Sequence, residues 1–188
     1  IKKYCGGHIR AAYGCSLGGS FVGLLASRQK IQMDYGILGS SDLDQAGPVK
    51  ARLLAALVVK MTWNFIHTGS YRSRRMQKRF RQQMADPDPY NRAFAAITGR
   101  DRYDMSFITK QSVKNQFTSD LTTLLPEQID NPQTQIHVFY AKKMGEKYLA
   151  RYKKYFKHPV IHEQDLRHEE LLGLYPETWC ALVREICL

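Results

Sequence analysis

The chain has 188 residues, 28 of them Lys or Arg and 17 Asp or Glu, for a net charge of +11. With 44% hydrophobic and 11% aromatic residues it can bury a sizeable core, which excludes a disordered tail, and its length suits one domain. The longest apolar run, Leu53–Val59 between Arg52 and Lys60, is far short of the roughly 18 residues of a membrane span, so it reads as a core helix.

In chain order, Ile1–Gly7 reads as the last turn of a helix closed by glycine, without Met or an N-cap before it, and implies a missing N-terminal piece. His8–Tyr13 is a short strand, Gly14–Gly19 a sharp turn and Ser20–Gln29 a small-residue helix. Tyr35–Gly39 is a second buried strand, ending at the polar cluster Ser40–Asp44. Pro48–Phe65 is a helix with proline in its first turn. Residues 70–84 follow as a cationic helix with one apolar stripe, Met76, Phe80 and Met84. After the break at Asp86–Pro89, helices are expected over Tyr90–Ile97 and Ser106–Leu124. Ile136–Tyr140 is the clearest strand; a Lys- and Tyr-rich helix over Glu146–Phe156, a strand over Pro159–Glu163, a loop over Asp165–Glu170 and a helix from Pro176 complete the chain. Strands alternating with helices predict an α/β fold with a mostly parallel sheet covered on both faces.

The charge is concentrated. Residues 70–84 hold six basic side chains and no acid, among them Arg72 and Arg81, and residues 136–157 hold seven against Glu146 alone. A solvated face explains such blocks; attraction to an anionic substrate or lipid surface through Arg72–Arg81 is the sharper expectation. No nucleic-acid-binding motif accompanies them, so no nucleic-acid partner is expected. Cys5, Cys15, Cys180 and Cys187 form no CxxC pair, which fits a reducing compartment such as the cytoplasm. His158 and His162 lack a third ligand and no HExxH occurs, so neither a metal nor another cofactor is inferred.

Gly14-x-Ser16-x-Gly18 between a strand and a helix is the nucleophile-elbow pattern. The turn forces the serine into strained angles, small neighbours two positions away make room, and the helix aims the Leu17 N–H at the place where an oxyanion would form. On these residues, and on a histidine loop near the chain end in the order Ser then His, the chain resembles the α/β-hydrolase superfamily from about His8 to Leu188.

The resemblance implies that Ser16 is the nucleophile and His168 the base, in a segment, His168-Glu169-Glu170-Leu171-Leu172, similar to the family's "HGEL" run; Arg167 stands where a glycine is usual. The acid departs from the pattern. The family usually places it beyond the strand that is here Ile136–Tyr140, and Ala141 and Met144 fill the places of the expected glycine and acid. Glu146, two residues on, and Asp42 or Asp44 at the end of the preceding strand are competing choices; Asp165 is a weaker one. The other histidines, His8, His67 and His137 among them, read as structural.

The resemblance further implies a core made of residues 1–44 and 126–188, lacking the family's first strands, with 45–125 as an inserted helical cap. That cap's aromatic and methionine side chains, Trp63, Phe65, Phe94, Met105, Phe107 and Phe117, suggest an apolar acyl or alcohol group in the substrate. The leading functional expectation is a serine hydrolase of carboxylic esters, thioesters or small amides. The other is a non-catalytic relative acting as a binding or scaffold module. The sheet edge beside His8–Tyr13 is expected to lie open, where it would pair with another chain.

Overall fold

A computed structural model describes residues 1–43, 48–68, 78, 81–82, 84–98 and 107–188, with side chains described at all of these except 48, 64–68 and 94–98. They form two compact units, Ile1–Asp44 with Leu124–Leu188, and Gln45–Thr123.

The first unit is built on four strands: β1 (His8–Cys15), β2 (Gln32–Gly39), β3 (Gln135–Ala141) and β4 (Val160–Gln164). All pair in parallel, in the order β1-β2-β3-β4. Its helices are α1 (Lys2–Cys5), α2 (Leu17–Arg28), α6 (Glu146–Tyr155), α7 (Glu170–Leu174) and α8 (Pro176–Cys187), with a 3-10 turn at Lys142–Met144. The second unit contains α3 (Pro48–Thr68), α4 (Pro89–Thr98) and α5 (Lys110–Thr122).

Side chains alternate across each strand, and in the central strands β2 and β3 both sets are largely buried. Met33 and Leu38 of β2 and Ile136, Val138 and Tyr140 of β3 pack on α2 and α6, around the fully buried Tyr152 and Phe156. The opposite set, Ile37 and Phe139, packs on Trp179, Leu182 and Ile186 of α8 and on Leu171 of α7. Tyr13 of β1 meets the Trp179 ring edge-on at 5.0 Å, and the Arg10 guanidinium donates from Nε to the Cys187 carbonyl at 2.7 Å, tying the last helix to the first strand.

Most expected elements recur with shifted ends. β1 runs two residues further than expected and α2 begins at Leu17, so the turn between them shrinks to Ser16. The helix expected from Ser106 begins instead at Lys110, because Thr109 caps it: its hydroxyl accepts from the Ser112 N–H at 3.0 Å and the Ser112 hydroxyl accepts from the Thr109 N–H at 3.1 Å. Leu125 is buried among Val22, Phe156 and their neighbours, so it belongs to the sheet unit rather than the helical one. The loop expected over Asp165–Glu170 ends one residue sooner, in α7.

The helical unit carries 14 basic and 5 acidic residues, a net +9. Of the cationic helix expected over 70–84, Lys78 and Arg81 are exposed, and Arg72, Arg74, Arg75 and Arg79 lie outside the described residues. Asp44 and Met105, and the side chains of Phe65, His67 and Phe94, also lie outside them. Of the other expected pocket residues, Trp63 and Phe117 are half-buried and Phe107 is exposed. Among the described residues no helix is long and apolar enough to cross a membrane.

Candidate active site

β1 delivers the chain into α2 through Ser16 alone, which has φ 52° and ψ −120°. An L-residue at positive φ is costly, and this combination lies outside even the left-handed helical region. Its backbone is held from both sides. The Ser16 N–H donates to the Gly39 carbonyl at 2.9 Å, and its carbonyl accepts from the Gly19 N–H at 3.0 Å and from the Ser41 hydroxyl. Ser41 is itself fixed, because its carbonyl accepts from the buried Tyr152 hydroxyl of α6. Burial, and then the nearby Asp42 charge, push the Tyr152 phenol up, so it stays a proton donor in this chain of bonds.

The turn is crowded, but not where the spacing of the motif suggests. A Cβ at Gly14 would lie 2.1 Å from the Gly18 carbonyl oxygen, and one at Gly19 would lie 2.0 Å from the Ser41 hydroxyl. A Cβ at Gly18 would meet nothing within 4 Å. The glycine that makes room on the helix side is therefore Gly19; Gly18 contributes only the backbone that Gly14 must clear. Gly14→Ala is expected to cost about 3 kcal/mol or more, through overpacking against backbone. Gly18→Ala is expected to be neutral or stabilising by up to about 1 kcal/mol, from helix propensity. Thermal denaturation of the two variants checks both signs.

Leu17 is the first residue of α2, so its N–H has no acceptor within the helix and points from the positive end of the helix dipole. The Cys15 thiol on the other side of Ser16 is pushed up to about 11, chiefly by burial, and remains protonated.

The histidine loop is fastened to this turn by the residue after His168. The Glu169 N–H donates to the Ser40 hydroxyl at 2.9 Å, and its carboxylate interacts with both His168 and the Cys15 thiol. The carboxylate beside the imidazole is Glu169's, 3.4 Å from His168 Nε2. That contact, and to a smaller extent the one with Cys15, holds the Glu169 carboxyl below its usual range. His168 is half-exposed and makes a further interaction as well.

Ser16 (φ 52°), Ser40 (φ 46°), Leu43 (φ 47°) and Glu169 (φ 58°) are four of the six non-glycine residues with positive φ among those described. They gather at the C-terminal ends of β1 and β2 and in the histidine loop that Ser40 fastens there. Backbone strain concentrated in this way is characteristic of functional sites.

Arg167 and Glu170 buckle the same loop. Glu170 is 6% exposed and accepts from the Arg167 N–H at 2.8 Å and from its guanidinium Nε at 3.1 Å. The Arg167 side chain holds the Glu170 carboxyl below its usual range. The arginine that departs from the family's usual glycine thus has its own partner three residues on. Glu170→Gln is expected to cost about 1–3 kcal/mol in urea unfolding, the lower half of that range applying because Arg167 still reaches solvent.

Neither carboxylate favoured from the sequence is seen on the imidazole. Glu146 is exposed at the start of α6, beyond the turn that contains Met144. Asp42 is half-buried on the α6 side, its carbonyl accepting from Arg151 Nη1 at 2.8 Å and its charge felt by Tyr152. Asp165 is exposed and lies 3.7 Å from the Lys143 ammonium. Among the described residues no three of His, Cys, Asp and Glu gather as metal ligands would.

No family model matches the chain, and no curated protein matches it. Solved structures do. It superposes on an alpha/beta hydrolase family protein from Desulfitobacterium hafniense over 95% of this chain and 69% of that one, with a TM-score of 0.61 and 18% identity. The chain has the α/β-hydrolase fold. A hydrolase from Pseudomonas aeruginosa PA01 matches over 94% of this chain and 64% of that one (TM-score 0.52, 16% identity), and MenH from S. aureus over 92% and 66% (TM-score 0.54, 12% identity).

The chain therefore spans 64–69% of the length of these three structures. At such identities the likeness is one of fold. Within this fold Ser16 stands at the turn where β1 passes directly into α2. The contacts at Ser40, Ser41 and Glu169 were not readable from the sequence as parts of it. Ser40-Ser41 registers there only as the polar end of a strand, since a hydroxyl's partner on another element leaves no local pattern.

Proposed function

We propose that the chain is the nucleophile-bearing part of a serine hydrolase that cleaves carboxylic esters, thioesters or small amides. The observation that carries this reading is the conformation of Ser16, a serine held at φ 52° and ψ −120° between a parallel strand and a helix. Gly-rich turns without chemistry have no need of a side chain at the strained position; glycine would serve there at lower cost.

In the proposed reaction the Ser16 hydroxyl attacks the substrate carbonyl carbon while His168 accepts its proton. The tetrahedral oxyanion is stabilised by the Leu17 N–H, and the imidazolium returns the proton to the leaving alcohol, thiol or amine. Water, deprotonated by His168, then attacks the acyl-enzyme and releases Ser16. A carboxylate orients and balances the imidazolium. Glu169 is the one seen beside it, and Glu146, Asp42, Asp44 and Asp165 are its competitors. The helical unit is the proposed cap.

A fluorophosphonate probe tests this directly, since it phosphonylates only an activated serine. Labelling of the folded protein is expected at Ser16, found by peptide mass spectrometry, and is expected to vanish in His168→Ala. A folded, unlabelled wild type would sink the hydrolase reading and leave the fold serving a binding role.

A further inference from the structure

The helical unit contains a groove of about 700 Å³ between α3 and α5, within the range of small-molecule sites. Its wall on α3 is apolar, formed by Ala56, Val59 and the half-buried Trp63, which recur on one helical face. Its rim is cationic: Arg52 and Lys60 from α3, Lys110 and Lys114 from α5. Besides the Trp63 indole N–H, Thr118 supplies the sole uncharged polar group among the described lining residues, and no carboxylate is among them.

Two features make this more than an assortment of surface lysines. None of the four cations pairs with a carboxylate among the described residues, although the same protein pairs Lys142, Lys143, Lys154 and Lys157 with acids. Lys110 is moreover the first residue of α5, and no acid occupies that first turn. The positive end of a helix disfavours cations and favours anions, so this arrangement works against the helix unless an anion is nearby.

We propose that the groove binds an amphiphilic anion, a long-chain carboxylate, with its hydrocarbon on the alanine, valine and tryptophan wall and its head group among the rim cations. The wall offers no pattern of donors and acceptors that would read a base or a sugar, and the four rim cations suit an anionic head group. This site lies wholly within the helical unit and does not depend on Ser16, since a free carboxylate has no bond for a hydrolase to cut.

The test is titration of the full chain with dodecanoate below its micelle-forming concentration, read by tryptophan fluorescence and by calorimetry. Expected is a saturable signal that disappears from fluorescence in Trp63→Phe, although Trp179 remains. Dodecanol and acetate are each expected to bind at least about 10-fold more weakly, and the double variant Lys110→Gln/Lys114→Gln to lose about 10-fold or more. Ala56→Phe, which fills the groove and keeps every charge, is expected to lose as much; Ala56, Lys110 and Lys114 are exposed, so Ala56→Phe should keep the wild-type melting temperature and the double lysine variant should melt no lower than wild type. Non-saturable binding, equal affinity for dodecanol, displacement by inorganic phosphate at constant ionic strength, or indifference to both sets of substitutions would each overturn the proposal.

Discussion

Replacing Ser16 with glycine is expected to abolish acyl transfer while raising the melting temperature. The two effects have separate origins. Removing the hydroxyl removes the only proposed nucleophile, and losses of about 10⁴-fold or more in kcat are usual when such a residue is deleted. Glycine also tolerates φ 52° with ψ −120°, where a side chain costs of order 1–3 kcal/mol. Against this stands the greater freedom that glycine gives the unfolded chain, about 0.5–1 kcal/mol. The balance is a gain of about 1 kcal/mol, or roughly 3 °C for a chain of this size. Ser16→Ala keeps the Cβ and therefore the strain, so it should lose activity without the thermal gain. Hydrolysis of a p-nitrophenyl ester and a melting curve on the three proteins separate these contributions. Undiminished turnover in either variant would remove Ser16 from the chemistry.

Acidification from pH 7 to 4.5 is expected to cost about 2 kcal/mol of stability through one buried histidine. His137 sits on the face of β3 that packs beneath α8, 7% exposed, with Nδ1 2.9 Å from Nε2 of His162 on β4. Its Nε2 is buried without a partner. A hydrogen on Nδ1, donated to His162, leaves there a bare lone pair, which is cheaper to bury than an unpaired N–H. Protonation would create that unpaired N–H and a buried charge. Burial, and then the neighbouring His162, accordingly lower the His137 pKa from 6.5 to about 4.

The unfolded chain takes up this proton first as the pH falls below 6.5, so stability present at neutral pH is lost down to about pH 4. A tenfold difference in proton affinity between the folded and unfolded chains corresponds to about 1.4 kcal/mol. His162, also lowered by burial, acts in the same direction. The lowered carboxyls of Glu169 and Glu170 lose their stabilising ionisation only below the ordinary carboxylate range, so the window from 6.5 to 4.5 belongs to the histidines. Urea unfolding across that window should show the decline in wild type and a much flatter profile in His137→Leu. A wild type equally stable at pH 7 and 4.5 would contradict the buried pair.

What the sequence discloses divides along a physical line. Ile136–Tyr140 and Tyr35–Gly39 were readable as strands because burial on both faces leaves an unbroken apolar run. The turn at Ser16 was readable because a backbone demand selects glycine within two or three positions. Gly19 escaped notice because its constraint comes from Ser41, across the sheet and 22 residues away in the chain. Glu170 gave no sign of being buried, since a charged side chain beside another charge looks solvated until Arg167 is seen folded onto it. The orienting acid was the least legible feature: its identity depends on which loop reaches one imidazole, a long-range contact with no local signature.

The sheet order carries a further consequence for the turn at Ser16. β1, which leads into Ser16, has a hydrogen-bonded neighbour on one side only among the described residues. The strand that aims the proposed nucleophile is thus tethered by a single ladder, whereas β2 and β3 are held by two. Amide hydrogen exchange along His8–Cys15 should consequently be faster than along β2 or β3. A small molecule or polypeptide that occupied the outer edge would slow it, and would act on Ser16 through the backbone alone, without touching its hydroxyl.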